Sequence, residues 1–432
     1  MRLPRPVVVP ALLSLALLGC SVGTDAEVPG DGASPASAPA TGSPDDGEDG
    51  PTEDGAAGPT EDGAPEGGTS STPATSAPDD APSDEAPALD VEVVADGLAL
   101  PWDVQLLPDG TALVTERGGR LLAVDPDGGA VRELDLELDG LFVGSEAGLM
   151  GLAVSPTFED DRSVLVCHAA HPTGEAPDVR VTRLRLDEAV TRAAVDTTLV
   201  TGLPLSSGRH SGCRLLVTGD GTLLVGTGDA AVGTHPQDLG SLGGKVLALT
   251  LDGAPADPDG HVKGADPRVL THGHRNVQGL AEQPGTGAVW EVEHGPDVDD
   301  EVNVLVPGGN YGWDPVPGYD ESVPMTDLEA FPDAVEAAWS SGTPTHATSG
   351  AVFLEGEQWG AWAGALAVAE LKGSGVTVLT VDGTTVVAEE RVPELDGTHG
   401  RLRSLTLDDE GALWVTSSDG EDDVVLRVTP RP

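Results

Sequence analysis

The stretch from His272 to Trp313 has the residue types that could hold an anion beside a metal ion. Arg275 offers fixed guanidinium donors for a ligand carboxylate, and Asn276 adds an amide next to it. A Gly-Pro turn precedes the acidic run that ends in Asp300 and Glu301, and Ca²⁺ prefers carboxylate and carbonyl oxygens of this kind. The spacing is not that of an EF-hand. A solvated loop and an ordinary acidic surface are the alternatives.

A possible base lies some sixty residues upstream of Arg275, where His210 precedes a β-like run. Asp229 stands at the far end of the next such run. Imidazole titrates near neutrality and makes a good general base, and a carboxylate can fix its tautomer. Because the chain has ten histidines, a structural role for His210 is the alternative.

Further cations stand near the C-terminus. Arg401 and Arg403 alternate along a predicted strand and therefore share one face. Two arginines on one face need an anionic partner, which could be an acidic side chain in a surface salt bridge or the carboxylate of a ligand. Lys372 adds to them and is one of only three lysines.

The overall charge excludes some partners. The formal net charge is −51, which argues against nucleic acid and anionic membrane surfaces as binding partners. No GxSxG, P-loop, strand-linked GxGxxG, HExxH or CxxC pattern is present, which argues against common hydrolases, nucleotide enzymes and zinc enzymes.

The N-terminus predicts export. Residues 1–20 combine two arginines with an apolar run too short to span a bilayer, and Leu17 to Cys20 resembles the bacterial lipobox. By that resemblance Cys20 would be lipidated, and the protein would be anchored at the outer face of the membrane. A cleaved signal with an incidental Cys, and hence secretion, is the alternative. Residues 21–88 are rich in Pro, Gly, Ser and acid, which predicts a disordered tether.

Two more cysteines, Cys167 and Cys213, lie in β-like runs. Export favours disulfides, and an even pair is compatible with one bridge between neighbouring strands. Two isolated thiols make a poor metal site.

Residues 89–432 have the pattern of an all-β domain, with short β-rich runs separated by Asp-Gly and Gly-Gly turns. A weak repeat of turn, strand and polar tip has its glycines at Gly110, Gly221, Gly287 and Gly411. Their spacings fit one or two units of about 55 to 65 residues, which predicts a six-bladed β-propeller of four-stranded antiparallel sheets. A pair of β-sandwiches or a β-helix is the alternative. The last strand could pair beside the first and close the ring.

Several motifs together resemble the soluble quinoprotein sugar dehydrogenases, the family of the PQQ-dependent glucose and aldose enzymes. They are LPWDVQLLPDG, EAGLMGLAVSPTF, GRHSGCRLL, DGTLLVGTGD, LGGKVLALTLDG, GHRNVQGLA, EHGPDVDDEVN, NYGW, SGAVFLEG and GRLRSL. The resemblance covers the propeller and leaves out the tether. It implies a six-bladed propeller that binds pyrroloquinoline quinone (PQQ) and Ca²⁺ over its central mouth.

The resemblance also implies roles for individual residues. His210 resembles the general base that removes the proton of the sugar C1 hydroxyl, and Asp229 resembles the carboxylate that orients it. Positions like the family's quinone contacts are Glu146, Arg275, Asn276, Lys372, Arg401 and Arg403. Positions like its calcium ligands are Gly295 and Pro296, through their carbonyls, and Asp300, Glu301 and the Tyr311 carbonyl. Glu146 departs from the Gln of the glucose enzyme and places an acid beside a tricarboxylate.

The expected activity is oxidation of an aldose to its lactone, with an external electron acceptor that the sequence does not identify. A membrane would be contacted only through the N-terminal anchor. A calcium-dependent propeller lactonase and a catalytically inactive sugar-binding propeller are the alternative functions.

Overall fold

The structure is a computed structural model, and it describes residues 85–126, 130–257 and 260–431. The predicted signal segment with Cys20 and nearly all of the predicted tether lie outside the described residues. Within those residues, no helix is both long and apolar enough to cross a bilayer.

The described residues form six β-sheets arranged as the blades of a propeller, as the sequence predicted. The first strand of the chain, β1 (Leu89–Leu98), belongs to the last blade. Blade 1 contains β2 (Pro101–Leu106), β3 (Ala112–Glu116), β4 (Leu121–Val124) and β5 (Val131–Glu133). Blade 2 contains β6 (Asp135–Leu136), β7 (Leu149–Val154), β8 (Ser163–Ala170), β9 (Asp178–Leu186) and β10 (Arg192–Pro204). Blade 3 contains β11 (Gly212–Val217), β12 (Leu223–Thr227), β13 (Lys245–Leu249) and β14 (Val269–His272).

The remaining blades follow the same order. Blade 4 contains β15 (Val277–Glu282), β16 (Val289–Glu293), β17 (Glu301–Val304) and β18 (Trp339–Ser340). Blade 5 contains β19 (Thr348–Phe353), β20 (Leu366–Glu370), β21 (Gly375–Asp382) and β22 (Thr385–Arg391). Blade 6 contains β23 (Leu402–Leu407), β24 (Leu413–Ser417), β25 (Asp423–Pro430) and β1. The helical segments are short: α1 (Phe158–Asp161) and the 3₁₀ helices Glu357–Trp362 and Pro393–Leu395.

The weak repeat in the sequence corresponds to the turn between the first two strands of a blade. Gly110, Gly221, Gly287 and Gly411 all have positive φ, between 70° and 85°, and each precedes the second strand of blade 1, 3, 4 or 6. The two longer spacings skip blades 2 and 5, which make this connection with a helical segment instead. Positive φ is the conformation that glycine adopts without steric cost.

Blade 2 departs from the predicted four strands. A fifth strand, β6, pairs in parallel with β10 through Asp135 opposite Arg192 and Leu136 opposite Ala193. The strand β6 thus covers part of the free edge of β10, the fourth strand of the blade, whereas the other blades have no fifth strand among the described residues.

The ring closes as predicted, because β1 pairs antiparallel with β25, with Val91 opposite Val428. The final blade is therefore built from both ends of the domain. Apolar residues of neighbouring blades pack together; one such core joins Leu165 of blade 2 to Leu247 of blade 3. Burial of this kind stabilises the fold by about 25 cal/mol per Å² of apolar surface.

Candidate active site

One mouth of the propeller gathers polar residues from several blades. In blades 3 and 4 the first two strands run antiparallel, so the start of one and the end of the other lie at the same end. His210 stands just before β11 and Asp229 just after β12. Arg275 stands just before β15 and His294 just after β16. The topology thus brings residues far apart in sequence to one place.

His210 and Asp229 form a buried pair, with His210 Nδ1 2.9 Å from Asp229 Oδ1. Both side chains are almost fully inaccessible to solvent. Burial lowers the pKa of His210, the hydrogen bond with Asp229 opposes this effect, and the charge of Arg275 adds to the lowering. The imidazole is therefore held neutral and able to accept a proton near neutral pH.

The backbone around His210 is unusual and depends on two glycines. His210 has a φ of 52°, in the left-handed region. A Cβ on Gly212 would lie 2.4 Å from the Gly228 nitrogen, and one on Gly228 would lie 1.9 Å from the His210 carbonyl oxygen. Only glycine lets these two segments approach so closely, and this approach brings His210 against Asp229.

Arg275 is buried, and two of its three guanidinium nitrogens have partners. Nη1 donates to the His294 carbonyl at 2.6 Å, and Nη2 donates to Glu321 Oε1 at 2.7 Å. Nε is buried and has no hydrogen-bond partner among the described residues. The guanidinium also lies 5.7 Å from the centre of the Trp313 ring.

A buried polar network holds the backbone of Arg275 in place. Glu293 accepts hydrogen bonds from the Arg275 nitrogen, from His274 Nδ1 and from Asn303 Nδ2. Burial and the charge of Glu293 raise the pKa of neighbouring Glu291 well above its ordinary value. The members of this network are buried, so its hydrogen bonds are shielded from water.

Asn276 is buried next to Arg275 and is held through its side chain by three hydrogen bonds. Its Nδ2 donates to Glu146 Oε2 at 3.1 Å, and its Oδ1 accepts from the Gly212 nitrogen at 3.1 Å and from Gln278 Nε2 at 3.3 Å. Gln278 Oε1 in turn accepts from Arg403 at 3.0 Å. These contacts fix which way the Asn276 amide faces.

Three arginines cluster around Glu146 at this mouth. The charge of Glu146 acts on Arg117 and Arg403, and Arg401 acts on both of those arginines. Burial lowers the pKa of Arg403 to about 9, and its guanidinium lies 5.5 Å from the centre of the Trp102 ring. No salt bridge among the described residues involves Arg117 or Arg401. The cluster is therefore short of negative charge, unlike the chain as a whole.

Lys372 is the predicted cation that the structure does not join to this cluster. It is exposed on the turn after β20, where its backbone nitrogen donates to the His346 carbonyl at 2.9 Å.

Gly295 and Pro296 lie at the mouth, directly after His294. The Gly295 carbonyl is 2.5 Å from His294 Nδ1, and Pro296 lines the central pocket. Asp300, which the resemblance placed among the calcium positions, has a different setting. Its oxygens accept from Thr345 Oγ1 and from the backbone nitrogens of Gly295, His346 and Ala347. These donors occupy the lone pairs that a metal would need.

Glu301 and Tyr311 lie deeper in blade 4. Glu301 Oε1 accepts from Thr326 at 2.9 Å, whereas Oε2 is buried and has no partner among the described residues. Burial, with the charge of Glu293 adding to it, raises the pKa of Glu301 to about 8. Tyr311 is buried, and its ring stacks on His274.

The candidate site opens into a pocket of about 270 Å³. Its lining consists of Glu146, Arg209, His210, Arg275, His294, Pro296, Asp297 and Glu321. Charged and polar groups dominate this lining, which suits a polar, hydroxyl-rich ligand.

Sequence reasoning missed four residues of the site: Arg117, Arg209, Tyr319 and Glu321. Glu321 bridges Arg275 and Arg209, whose Nη2 lies 2.5 Å from the same carboxylate oxygen. Burial alone would raise the pKa of Glu321, but the hydrogen bond and charge of Arg275 outweigh it and lower the pKa. Arg117 ends the segment DGTALVTER, which contains the repeat glycine Gly110, so its position at a polar tip was an available signal.

Cys167 and Cys213 form a disulfide between β8 of blade 2 and β11 of blade 3, with their Cα atoms 5.5 Å apart. Cys213 stands three residues after His210, so the bridge ties the segment of the candidate base to the preceding blade.

Comparison with known proteins identifies the family. The family described as glucose/sorbosone dehydrogenase matches residues 98–427. An aldose sugar dehydrogenase of Escherichia coli is 29% identical over 80% of this chain and 94% of its own length. Quinoprotein glucose dehydrogenase B of Acinetobacter calcoaceticus is 31% identical over 53% of each protein. The PQQ-bound aldose sugar dehydrogenase of Streptomyces coelicolor superposes with a TM-score of 0.66 at 30% identity, over 81% of this chain and 100% of its own. The chain therefore belongs to the glucose/sorbosone dehydrogenase family.

Proposed function

We propose that this protein oxidises an aldose sugar at C1 to the lactone, with PQQ as hydride acceptor and Ca²⁺ as its companion ion. The observation that carries the proposal is the neutral, buried His210 held by Asp229 at the edge of a pocket that Arg209 and Arg275 also line. The named relatives support it, since they include aldose and glucose dehydrogenases and one PQQ-bound structure.

The residues present fit an anionic cofactor. Arg117 and Arg403 share Glu146 as their acidic neighbour, and Arg401 adds its charge to both, which leaves excess positive charge for the carboxylates of the quinone. Arg275 and Asn276 would also contact the quinone. Lys372, exposed on its turn, would approach only from the rim.

Calcium fits part of the predicted ligand set. The carbonyls of Gly295 and Pro296 would hold the ion beside the pocket. Glu301 Oε2 is a buried oxygen without a hydrogen-bond partner among the described residues, and such an atom suits a cation; with the Tyr311 carbonyl it would form a second position. Asp300 is left out of the proposal, because backbone and hydroxyl donors already surround its carboxylate.

The chain's own groups then have defined tasks. His210 would remove the proton of the C1 hydroxyl at Nε2, while Asp229 holds the opposite nitrogen and stabilises the imidazolium. Arg275 would stabilise negative charge that develops at the acceptor. Bound PQQ would supply the redox chemistry by accepting hydride from C1, and Ca²⁺ would polarise it.

The alternative functions make less use of these residues. A calcium-dependent lactonase has no need for the arginine cluster around Glu146. A sugar-binding propeller without catalysis has no need for a desolvated imidazole paired with a carboxylate.

The test is to reconstitute the full-length protein with PQQ and Ca²⁺ and to follow dye reduction over a panel of aldoses. We expect quinone binding at micromolar concentration and turnover that is lost in His210→Ala while the quinone stays bound. The matched control is His171→Ala, an exposed histidine outside the site, which should retain full turnover. Absence of quinone binding would refute the proposal, and turnover in His210→Ala would mean that another residue is the base.

Export and lipid attachment at Cys20 are a separate proposal, supported by the lipobox-like sequence alone. We propose a cell-envelope lipoprotein whose propeller stands on the acidic tether. Metabolic labelling with a fatty acid should mark the wild-type protein and leave Cys20→Ala unmarked. Labelling of both proteins, or of neither, would contradict this.

A further inference from the structure

Tyr319 reaches the candidate base from a segment in which the sequence offered no motif. It lies between β17 and β18, on the connection that crosses the mouth. Its hydroxyl oxygen is 2.7 Å from Asp229 Oδ2 and 2.8 Å from His210 Nδ1. Tyr319 therefore contacts both members of the pair at once.

The three contacts among these side chains allow only one arrangement of hydrogens. Asp229 Oδ1 lies 2.9 Å from His210 Nδ1, so two of the three contacts involve that nitrogen. If Nδ1 carried no hydrogen, it would face the carboxylate oxygen lone pair to lone pair. Nδ1 must therefore carry the hydrogen and share it between Asp229 and Tyr319. The single hydrogen of the Tyr319 hydroxyl then goes to Asp229 Oδ2.

In this arrangement both carboxylate oxygens of Asp229 accept two hydrogen bonds each. Its Oδ1 accepts from His210 Nδ1 and the Ala231 nitrogen, and its Oδ2 accepts from Trp313 Nε1 and the Tyr319 hydroxyl. Four donors therefore surround the carboxylate. Burial and the neighbouring Asp229 raise the pKa of Tyr319, so the hydroxyl keeps its hydrogen.

Other contacts hold Tyr319 in place. Its ring packs edge-on against Trp313 with centres 6.3 Å apart, and the Arg209 guanidinium lies 5.6 Å from the ring centre. Two residues later, Glu321 is bound by Arg209 and Arg275. The segment is thus attached to the site on both sides of the tyrosine.

We propose that Tyr319 is a positioning residue: its hydroxyl donates to Asp229 Oδ2 and so holds the carboxylate against His210 Nδ1–H, which leaves Nε2 bare and facing the pocket. This inference rests on the proposed function for its kinetic consequence. The tautomer itself is a property of the protein without cofactor or sugar.

The kinetic test is Tyr319→Phe in the holoenzyme. We expect kcat to fall about tenfold, the loss typical of one hydrogen bond to a charged group, with KM nearly unchanged. Asp229 would have one donor fewer and would stabilise the imidazolium more strongly. The acidic limb of the kcat/KM profile should therefore move to higher pH. Arg275, Glu146 and Glu321 also influence His210 and are unchanged by the substitution.

The matched control removes a similar contact at the opposite end of blade 3. Thr218→Val deletes a hydroxyl that donates to Asp220 Oδ1 at 2.6 Å, and it should leave kcat and the pH profile unaltered. In an Asp229→Asn background, Tyr319→Phe should have little additional effect, because Tyr319 acts through that carboxylate. Additive losses, or a change confined to KM, would overturn the proposal.

A readout without cofactor separates this inference from the proposed function. ¹⁵N NMR of the full chain, with the His210 signals identified by their loss in His210→Gln, should show a protonated Nδ1 and a bare Nε2. Tyr319→Phe should introduce the other tautomer or increase exchange at these nitrogens. A wild-type Nε2–H tautomer, or spectra that Tyr319→Phe leaves unchanged, would refute the assignment even if sugar oxidation is found. The expected spectra without sugar oxidation would instead refute only the proposed function.

Discussion

Arg275 and Glu321 form an ion pair of 2.7 Å, although 46 residues separate them in the sequence. Through this pair the candidate site gains a carboxylate, that of Glu321, which no sequence motif predicted. It also means that the arginine proposed to face the quinone is already partly neutralised.

Glu321→Gln should therefore change two properties in opposite directions. Binding of the anionic quinone should tighten severalfold, because Arg275 and Arg209 lose their common negative partner. Turnover should fall, because the segment that carries Tyr319 loses its attachment to the site. Quinone titration and steady-state kinetics measure the two effects. Glu329→Gln, an exposed acid on the same segment, is the control and should change neither. Weaker quinone binding in Glu321→Gln would contradict this account.

Glu146→Gln should tighten quinone binding without loss of turnover. Glu146 places a negative charge beside Arg117 and Arg403, and its removal would leave both, with the neighbouring Arg401, for the cofactor. Glutamine can still accept the hydrogen bond from Asn276. Equilibrium titration with PQQ measures the effect, and the exposed Glu137→Gln serves as control. If both variants bind the quinone like wild type, the acid has no influence on the cofactor.

The fold was predictable because its signals are local. Gly110 and Gly411 mark tight turns, and a turn glycine needs no distant partner to be recognised. Blades 2 and 5 were hidden because α1 and the Glu357–Trp362 helix replace this turn. The strand β6 was not predictable either, since it has two residues and depends on its pairing with β10.

The site was predictable only where a motif named its residues. His210 and Asp229 stand at strand ends within recognisable segments, and the structure places them 2.9 Å apart. Tyr319 and Glu321 belong to an irregular connection whose path is set by tertiary contacts, so their sequence neighbours carry no signal. Asp300 is the opposite case, because a motif did indicate a role for it as a metal ligand. The hydrogen-bond donors around its carboxylate could be seen only in the structure.

Acid should destabilise the protein through His168. Burial lowers the pKa of this histidine to about 4, from an ordinary value of 6.5, and its Nδ1 has no partner among the described residues. The unfolded chain therefore takes up a proton that the folded chain refuses, so stability is full above pH 6.5 and falls as the pH drops towards 4. The free energy of unfolding should decrease by up to about 3 kcal/mol over this window.

Urea denaturation at pH 7 and pH 4.5 measures this loss. The free energy of unfolding of His168→Gln should differ less between the two pH values than that of wild type. The difference that remains is due partly to His272, because burial also lowers the pKa of this histidine to about 4. If wild type and His168→Gln lose the same free energy of unfolding between pH 7 and pH 4.5, His168 does not control stability in acid.

The disulfide should contribute strongly to stability. Cys167 and Cys213 are 46 residues apart in sequence, and closing a loop of this length restricts the unfolded chain by roughly 4 kcal/mol. The double variant Cys167→Ala/Cys213→Ala should lose most of this in chemical denaturation, and reduced wild-type protein should behave similarly. A loss below about 1 kcal/mol would mean that blade packing alone holds His210's segment in place.

The pairing of β1 with β25 has a consequence for the order of events during synthesis. The first strand cannot find its partner until the last residues of the domain have been made, so it stays unpaired while five blades form. Over that time it offers an open edge to other chains. A chain that stops before Asp423 would never lose that edge, and we expect such fragments to be captured by chaperones or to aggregate rather than to persist as five-bladed rings.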